Sequence, residues 1–386
     1  MKTAAALAVG LLLVLAASAA SAQTLQNWTT RSTQPGVVRA WSFDDATAFT
    51  SCSGTAQQAC NGYNYGFYPN WQGSFSNINQ DTTVPAEGGS SMRFTIPSNS
   101  PANMSGQWFT NFSSDLSVQF GAGQTFYLQW RQRFSPCYLF NGTDDASCLA
   151  NGTPRAYLNG NGWKLLQVET GDIPGCTPSH ATSDVCAQNC TDLEIVTQNT
   201  NHRGFPQMYD SCGTSTSHPN PYWPFEESYG AFDIKLQNAM PSPFCLYSTG
   251  PTYPGCFKFV ANEWLTFYLV ITLGPRDSAG NDEWVNSYVK MYIARDGGQY
   301  TQVFDFEPLP GGVPLVAGSA ASNQKYGKVW FNTYNTNKSS SESHPVAYTW
   351  YDSLIISTQP IAPPTAVGSA PANTLAPLAP SNLSVH

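Results

Sequence analysis

Short segments in which apolar and polar residues alternate recur along most of the chain. They are rich in Val, Ile, Tyr, Phe and Trp and are separated by turns with Gly, Pro or Asn. The clearest are 38–43, 91–96, 125–134, 163–169, 193–199, 231–237, 263–273, 287–294, 302–306, 328–334 and 347–357. Such alternation is typical of antiparallel strands with one face on a core, and no segment has a helical apolar period. The pattern predicts an all-β jelly-roll sandwich of two antiparallel sheets.

The alternation weakens at about 137–256, which holds eight of the ten cysteines. This predicts long loop insertions pinned by disulfides, since an even cysteine count in an exported chain indicates a disulfide framework. Spacing suggests the local pairs Cys52–Cys60, Cys137–Cys148 and Cys245–Cys256, while four cysteines are left to pair among themselves in one of three ways. These four are Cys176, Cys186, Cys190 and Cys212. A zinc site is the weaker alternative because no Cys-x2-Cys pair occurs.

The two ends of the sequence differ from its middle. Residues 1–22 combine Lys2, an apolar run from Ala4 to Ala17 and the small residues before Gln23, which predicts a signal peptide and a secreted or cell-surface protein. Residues 23–358 are expected to form the sandwich domain. Residues 359–386 are rich in Pro, Ala and Ser and predict a linker, whose last residues resemble the start of a fibronectin type III module.

Composition narrows the function classes. Charged residues make up 11% of the chain, where about 25% is usual, and the formal net charge is -8. These values argue against a coiled coil, a nucleic-acid-binding protein and a protein of anionic membranes, and no segment after the leader is apolar for the length of a membrane span. Composition thus favours an exported β protein whose solubility depends on uncharged polar side chains.

Three stretches carry a resemblance to a known superfamily. They are Tyr127–Phe134 with Gly162–Val168, then Asn262–Gly274, and finally Ala347–Ser357. In order and spacing these strands resemble concanavalin A-like jelly rolls, most of all polysaccharide lyases of the alginate and glucuronan lyase type. The resemblance implies a concanavalin A-like fold and a polysaccharide substrate.

The alternation also predicts which side chains line an open face of the larger sheet. Aromatic rings stack on sugars, and Arg, Asn and Gln bind hydroxyl and carboxylate groups. The residues expected to bind substrate in this groove are Gln129, Arg133, Lys290, Tyr292, Trp330 and Asn332. The alternative for each of them is an ordinary solvated strand face.

Candidate catalytic residues follow from the chemistry of β-elimination. The reaction needs a group that neutralises the uronate carboxylate, a base for the proton at C5 and an acid for the leaving oxygen. We expect Arg131 to neutralise, Lys164 or His202 to act as base, and Tyr209 or Tyr334 to act as acid. The resemblance also implies a lysine near the position of Lys164.

Other chemistries have weaker support. The glucanase motif of spaced carboxylates is incomplete at Asp305 and Glu307, because Val303 stands at the place of its first glutamate. No fingerprint of a nucleotide or redox cofactor occurs. The loop 277–283 predicts a structural calcium site with Asp277 and Asp282 as ligands. The alternatives to a lyase are a lectin-like module, a structural surface or matrix protein, and a glycoside hydrolase.

Overall fold

The structure is a computed structural model. It describes residues 24–45, 65–66, 77–102, 106–113, 115, 117–139, 162–170, 194–200, 206–211, 257, 259–278, 283–305, 313–316, 325–334 and 338–367. The predicted signal peptide, strand 231–237, His202, Asp282 and most of the predicted insertion lie outside these residues, although three strands, at 162–170, 194–200 and 206–211, fall within the insertion. Cys137 is the one cysteine among them and is disulfide-bonded. The proposed disulfide pairs therefore stay predictions.

The described residues form fifteen strands and two short helices. The helices are α1 (Trp28–Ser32) and α2 (Pro136–Leu139). The strands are β1 (Val37–Trp41), β2 (Tyr65–Gly66), β3 (Ile78–Asp81), β4 (Ser91–Ile96), β5 (Gln107–Asn111), β6 (Thr125–Phe134), β7 (Gly162–Thr170), β8 (Glu194–Thr200), β9 (Pro206–Ser211), β10 (Trp264–Thr272), β11 (Glu283–Arg295), β12 (Thr301–Asp305), β13 (Val313–Val316), β14 (Tyr326–Asn332) and β15 (Ala347–Ser357). No described helix is long and apolar enough to cross a membrane.

The strands form two antiparallel sheets, so the predicted all-β sandwich is confirmed. The large sheet has the order β12-β11-β10-β6-β15-β4-β3, with β1 also paired to β15 and β13 to β11. The small sheet has the order β2-β5-β14-β7-β8-β9. Some neighbours are consecutive in sequence, such as β10, β11 and β12, whereas the pairs of β15 with β4 and β6 and of β14 with β5 and β7 join distant segments, as expected for a jelly roll.

Aromatic side chains between the two sheets form most of the core. Trp108 of β5 stacks on Phe331 of β14 at 5.6 Å between ring centroids, and Phe331 stacks on Tyr351 of β15 at 4.2 Å. The Tyr351 hydroxyl donates a 2.7 Å hydrogen bond to the carbonyl oxygen of Leu165 in β7. The core therefore joins the sheets through both ring packing and a buried hydrogen bond.

The chain after β15 does not leave the domain at once. The amide of Thr358 donates to the Gly36 carbonyl oxygen at 2.8 Å, and that of Thr365 donates to Gln26 at 3.1 Å. The amide of Val367 donates to the Asp296 carboxylate, with both distances 3.1 Å. The predicted linker thus begins in a segment, 358–367, that packs on the outer face of the large sheet as far as Val367.

The loop between β14 and β15 contains a buried ammonium group with a pH-dependent effect on stability. Lys338 is 6% exposed and donates to the carbonyl oxygen and, at 3.0 Å, to the hydroxyl of Ser100. Burial lowers the pKa of Lys338 to about 8, and the nearby Glu342 opposes this shift. Burial likewise lowers the pKa of His344 in the same loop.

The free energy of unfolding is expected to rise with pH above about 8 through Lys338. Below pH 8 the lysine is protonated in both states, whereas from about 8 to 10.5 the unfolded chain binds a proton that the folded chain has released. The gain between pH 7.5 and 9.5 should be on the order of 2 kcal/mol. Urea unfolding of the wild type and of Lys338→Met at both pH values measures it. Equal pH dependence in the two proteins would contradict the assignment.

Candidate functional site

The outer face of the small sheet carries a concentration of polar and aromatic side chains. Along β14, Val329 and Phe331 point into the core, so Lys328 and Trp330 occupy the opposite face. The register continues this face across three strands. Lys328 lies opposite Asn111 of β5 and opposite Glu169 of β7.

Two cross-strand rows result. In the first row, Lys328 Nζ lies 2.8 Å from Glu169 Oε2, and both side chains are at most 4% exposed. In the second row, Trp330 lies opposite Phe109 and Gln167, and all three are fully buried. The Lys328 ammonium is also 5.7 Å from the centroid of the Trp330 ring. Both rows are therefore closed to solvent. The Lys328 ammonium can be buried there because it is paired with Glu169.

The half-exposed part of this face lies at the other end of β7. The amide of Lys164 donates a 2.9 Å hydrogen bond to the carbonyl oxygen of Tyr334, just beyond β14. The Lys164 ammonium lies 5.7 Å from the centroid of the Tyr334 ring. Both side chains are half-buried, so the sheet brings two of the predicted catalytic residues together in a position that a ligand can reach.

Tyr209 belongs to the same sheet. Lys164 lies opposite Gln198 of β8, and Gln198 lies opposite Gln207 of β9, two residues before Tyr209. With strands about 4.8 Å apart and residues about 3.3 Å apart, the Cα atoms of Lys164 and Tyr209 are separated by about 12 Å. The register also puts Tyr209 in the row that contains Trp330 and Gln167.

The predicted single groove is wrong in its placement. Trp330 and Asn332 belong to β14 of the small sheet, whereas Gln129, Arg133 and the two β11 residues belong to the large sheet. Alternation correctly separated outward from inward positions on each strand. It did not show that β14 and β6 are in different sheets, so the predicted residues form two surfaces instead of one.

Gln129 and Arg131 of the large sheet are fully buried beneath other parts of the chain. Gln129 accepts a hydrogen bond from the guanidinium of Arg31 in α1 and donates one to the carbonyl oxygen of Ala362 at 2.8 Å. Arg131 forms an ion pair with Asp296 and has one guanidinium nitrogen 3.9 Å from Glu87. Arg131 is therefore buried, whereas we expected it to be open to a uronate carboxylate.

The remaining large-sheet residues differ in exposure. Tyr292 is half-buried and packs 5.8 Å from Tyr268, in an aromatic cluster under the segment 358–367. Lys290 is half-buried and lies opposite Val270 and Asp305. Arg133 is half-buried at the other end of β6.

The calcium prediction is only partly within the described residues. Asp277 is described, while Asp282 is not. Among the described residues no group of three or more His, Cys, Asp or Glu side chains is placed to hold a metal ion. The calcium site stays a prediction.

Sequence reasoning missed the polar layer beside Lys164. Gln167 and Glu169 alternate with the core residues Leu166 and Val168. This period of two in the sequence could have placed both residues on the face that carries Lys164. Glu194 of β8 was also missed, and it lies directly opposite Glu169. The two residues lie on successive strands, and it is the strand register that places them opposite each other.

Comparisons with known proteins give a similarity of overall fold. No family model matches the sequence, and no curated protein matches it. The chain is similar to the PL-14 alginate lyase of Aplysia kurodai, with 14% identity, 84% of this chain and 99% of that chain covered, and a TM-score of 0.43. It is similar to the endo-β-1,4-glucuronan lyase of Trichoderma reesei, with 12% identity, coverage of 73% and 87%, and a TM-score of 0.37.

The similarities are not confined to lyases. The binding domain of Botulinum neurotoxin serotype G matches with 10% identity, coverage of 84% of this chain and 48% of that chain, and a TM-score of 0.36. One fold supports many functions, and TM-scores of this size carry no argument about chemistry. The function has to be argued from the residues of the site.

Proposed function

We propose that the protein is a secreted enzyme that cleaves a uronate-containing polysaccharide by β-elimination at the outer face of the small sheet. The observation that supports this most is the contact between Lys164 and Tyr334, with Tyr209 two strands away in the same sheet. A tunable base and a phenol on adjacent strands are the groups that elimination requires. The Cα atoms of Lys164 and Tyr209 are about 12 Å apart, a separation of the order of two sugar rings along a chain.

In the proposed reaction Lys164, as the neutral amine, takes the proton from C5 of the uronate. The electron pair of that bond forms the C4=C5 double bond, and the bond between C4 and the glycosidic oxygen breaks. A phenol, either Tyr209 or Tyr334, donates its proton to the leaving oxygen, so that one fragment ends in a hydroxyl and the other in an unsaturated uronate. Comparing Tyr209→Phe with Tyr334→Phe separates the two assignments, because only the true acid loses activity.

Neutralisation of the uronate carboxylate falls to residues near Lys164 in this proposal. Gln198 of β8 lies opposite Lys164 in the register, and Gln207 of β9 lies opposite Gln198, two strands from Lys164. Amide N–H groups are suitable donors to a carboxylate whose charge spreads in the transition state. The buried pair of Lys328 and Glu169 lies farther along the same face of the sheet.

The test is incubation of the protein with alginate, glucuronan and pectate while the ultraviolet absorbance of the unsaturated product is followed. We expect absorbance to increase with at least one polymer, and boiled protein serves as the control. Absence of this product with all three, with retained binding, would replace the lyase by a lectin-like module. Filaments or discrete oligomers without glycan affinity would favour a structural protein.

One observation favours a glycoside hydrolase as the second candidate. Glu169 and Glu194 lie directly opposite each other in the register of β7 and β8, and glycosidases act with a pair of carboxyl groups. However, Glu169 is already bound by the Lys328 ammonium at 2.8 Å. Release of reducing ends from a neutral glucan, without the unsaturated product, would support this candidate.

A further inference from the structure

Arginine and tryptophan alternate in one cross-strand row on the outer face of the large sheet. Arg93 of β4 lies opposite Trp350 of β15, which lies opposite Arg133 of β6, which in turn lies opposite Trp264 of β10. Asn79 of β3 extends the row beyond Arg93. Five strands at about 4.8 Å give a row about 19 Å long.

The aromatic rings support the guanidinium groups. Arg133 lies 5.7 Å from the centroid of the Trp350 ring, and Arg93 lies 5.3 Å from that of Tyr348. Trp350 and Trp264 are 7% and 3% exposed and pack with Val84 and Ala86. The two tryptophan rings are therefore held rigidly by packing. Stacking on an aromatic ring fixes the plane of each guanidinium and leaves its terminal N–H groups accessible to a ligand.

Most of the hydrogen-bonding capacity of these arginines is unused. Each guanidinium has five N–H donors. Arg133 donates one long bond of 3.4 Å to Asn262 and forms no ion pair with any described residue. Arg93 is 33% exposed and makes one contact of 3.3 Å, with Asp81. The Nε groups of both arginines are buried and donate to no acceptor in the described part of the chain, so a ligand would bind to the terminal N–H groups.

The surrounding charges favour a particular anionic ligand. The chain has a formal net charge of -8, so an anion approaches it only where the local charge is positive. Asp81 lies at the row and accepts a 3.0 Å bond from the Trp350 indole, which disfavours a densely charged polyanion such as a nucleic acid. A polymer with spaced carboxylates and many hydroxyls suits alternating guanidinium, amide and carboxylate groups better.

We propose that this row is a second polysaccharide-binding site, which takes a carboxylated polysaccharide chain along the row. Arg93 and Arg133 are two strands apart, or about 9.6 Å, which is of the order of a disaccharide repeat. Each guanidinium binds one uronate carboxylate in a bidentate fashion. The site lies on the sheet opposite Lys164 and does not depend on the reaction proposed there.

Affinity electrophoresis in native gels with embedded alginate or pectate tests the proposal. All proteins carry Lys164→Ala, so that the polymer is not cleaved if the proposed reaction is correct. We compare Arg93→Gln, Arg133→Gln and the double variant with Arg39→Gln. Arg39 of β1 is the matched control because it also stacks on a tryptophan, 5.0 Å from the Trp41 centroid, outside the row.

We expect the polyuronate gels to retard the parent and Arg39→Gln proteins equally. Each substitution in the row should weaken binding about tenfold, and added salt should weaken it further. Asp81 keeps its bonds from Thr83 and Trp350 in Arg93→Gln, and thermal unfolding verifies that each variant is folded. These results would support the row irrespective of any lyase assay.

Three results would overturn the proposal. The first is a parent protein that neither polyuronate retards, and the second is a folded double variant that is retarded as strongly as the parent. The third is equal or stronger retardation by a sulfated polysaccharide or by duplex DNA, which would show a general polyanion surface. A neutral glucan is expected to cause no retardation.

Discussion

Lys164→Ala is expected to lower kcat on the polyuronate substrate by about 10²- to 10⁴-fold, the range contributed by a positioned general base. The KM should change little, because the rest of the face still binds the sugar. The side chain is half-buried and packs against the Tyr334 ring, and thermal unfolding verifies that the variant is folded. Initial rates of product absorbance over a range of substrate concentrations separate kcat from KM.

Lys325→Ala is the matched control for this variant. Lys325 is also half-buried and lies beside Gly121, just before β14 and away from Lys164. Its kcat should equal that of the wild type. The double variant with the phenylalanine substitution at the acid should lose little more than Lys164→Ala alone, since both groups act on one step. A Lys164→Ala protein with near-normal kcat would exclude Lys164 as the base.

Glu87→Ala is expected to lower the free energy of unfolding by about 3 kcal/mol, because it removes one partner of a buried ion pair. The Glu87 side chain is 7% exposed, pairs with the fully buried Arg31 and accepts a 2.9 Å hydrogen bond from Ser353. Arg131 lies 3.9 Å away and would also lose part of its compensating charge. The melting temperature should fall on the order of 10 °C.

Asp352 is expected to offset part of the loss of unfolding free energy in Glu87→Ala. Burial raises the pKa of Asp352 well above its usual range, and the charge of Glu87 adds to this rise. Removing Glu87 therefore makes it easier for Asp352 to ionise and to compensate the arginines in part. Glu263→Ala is the control, since its partner Arg295 is 43% exposed and such pairs contribute about 0–1 kcal/mol. Equal losses in the two variants would contradict the buried network.

The strands were predictable where the alternation is long. The predicted 91–96, 125–134 and 347–357 coincide with β4, β6 and β15, because apolar residues at every second position are required on a sheet that covers a core. β5 was missed although Trp108, and Phe112 just after the strand, are core residues on the same face. Its five residues are too short a run to stand out from the surrounding polar sequence.

The site was less predictable because it depends on contacts between distant segments. Alternation correctly set Gln129 and Arg131 opposite Trp130, and yet that face is closed by Ala362 and by α1. No local pattern indicates which segment covers a sheet. The contact of Lys164 with Tyr334 likewise arises from the pairing of β7 with β14, whose residues are about half the chain length apart.

The position of β15 has a consequence for the timing of folding. This strand, near the end of the described chain, pairs with β6, β4 and β1 in the middle of the large sheet. Until residues 347–357 have been synthesised, β6 and β4 each present an open edge to which another nascent chain can add. The large sheet can therefore form completely only after β15 has been translated. Pairing of strands that are so distant in sequence is slow. Yield at high expression rates should be limited by association of unfinished chains instead of by the stability of the finished domain.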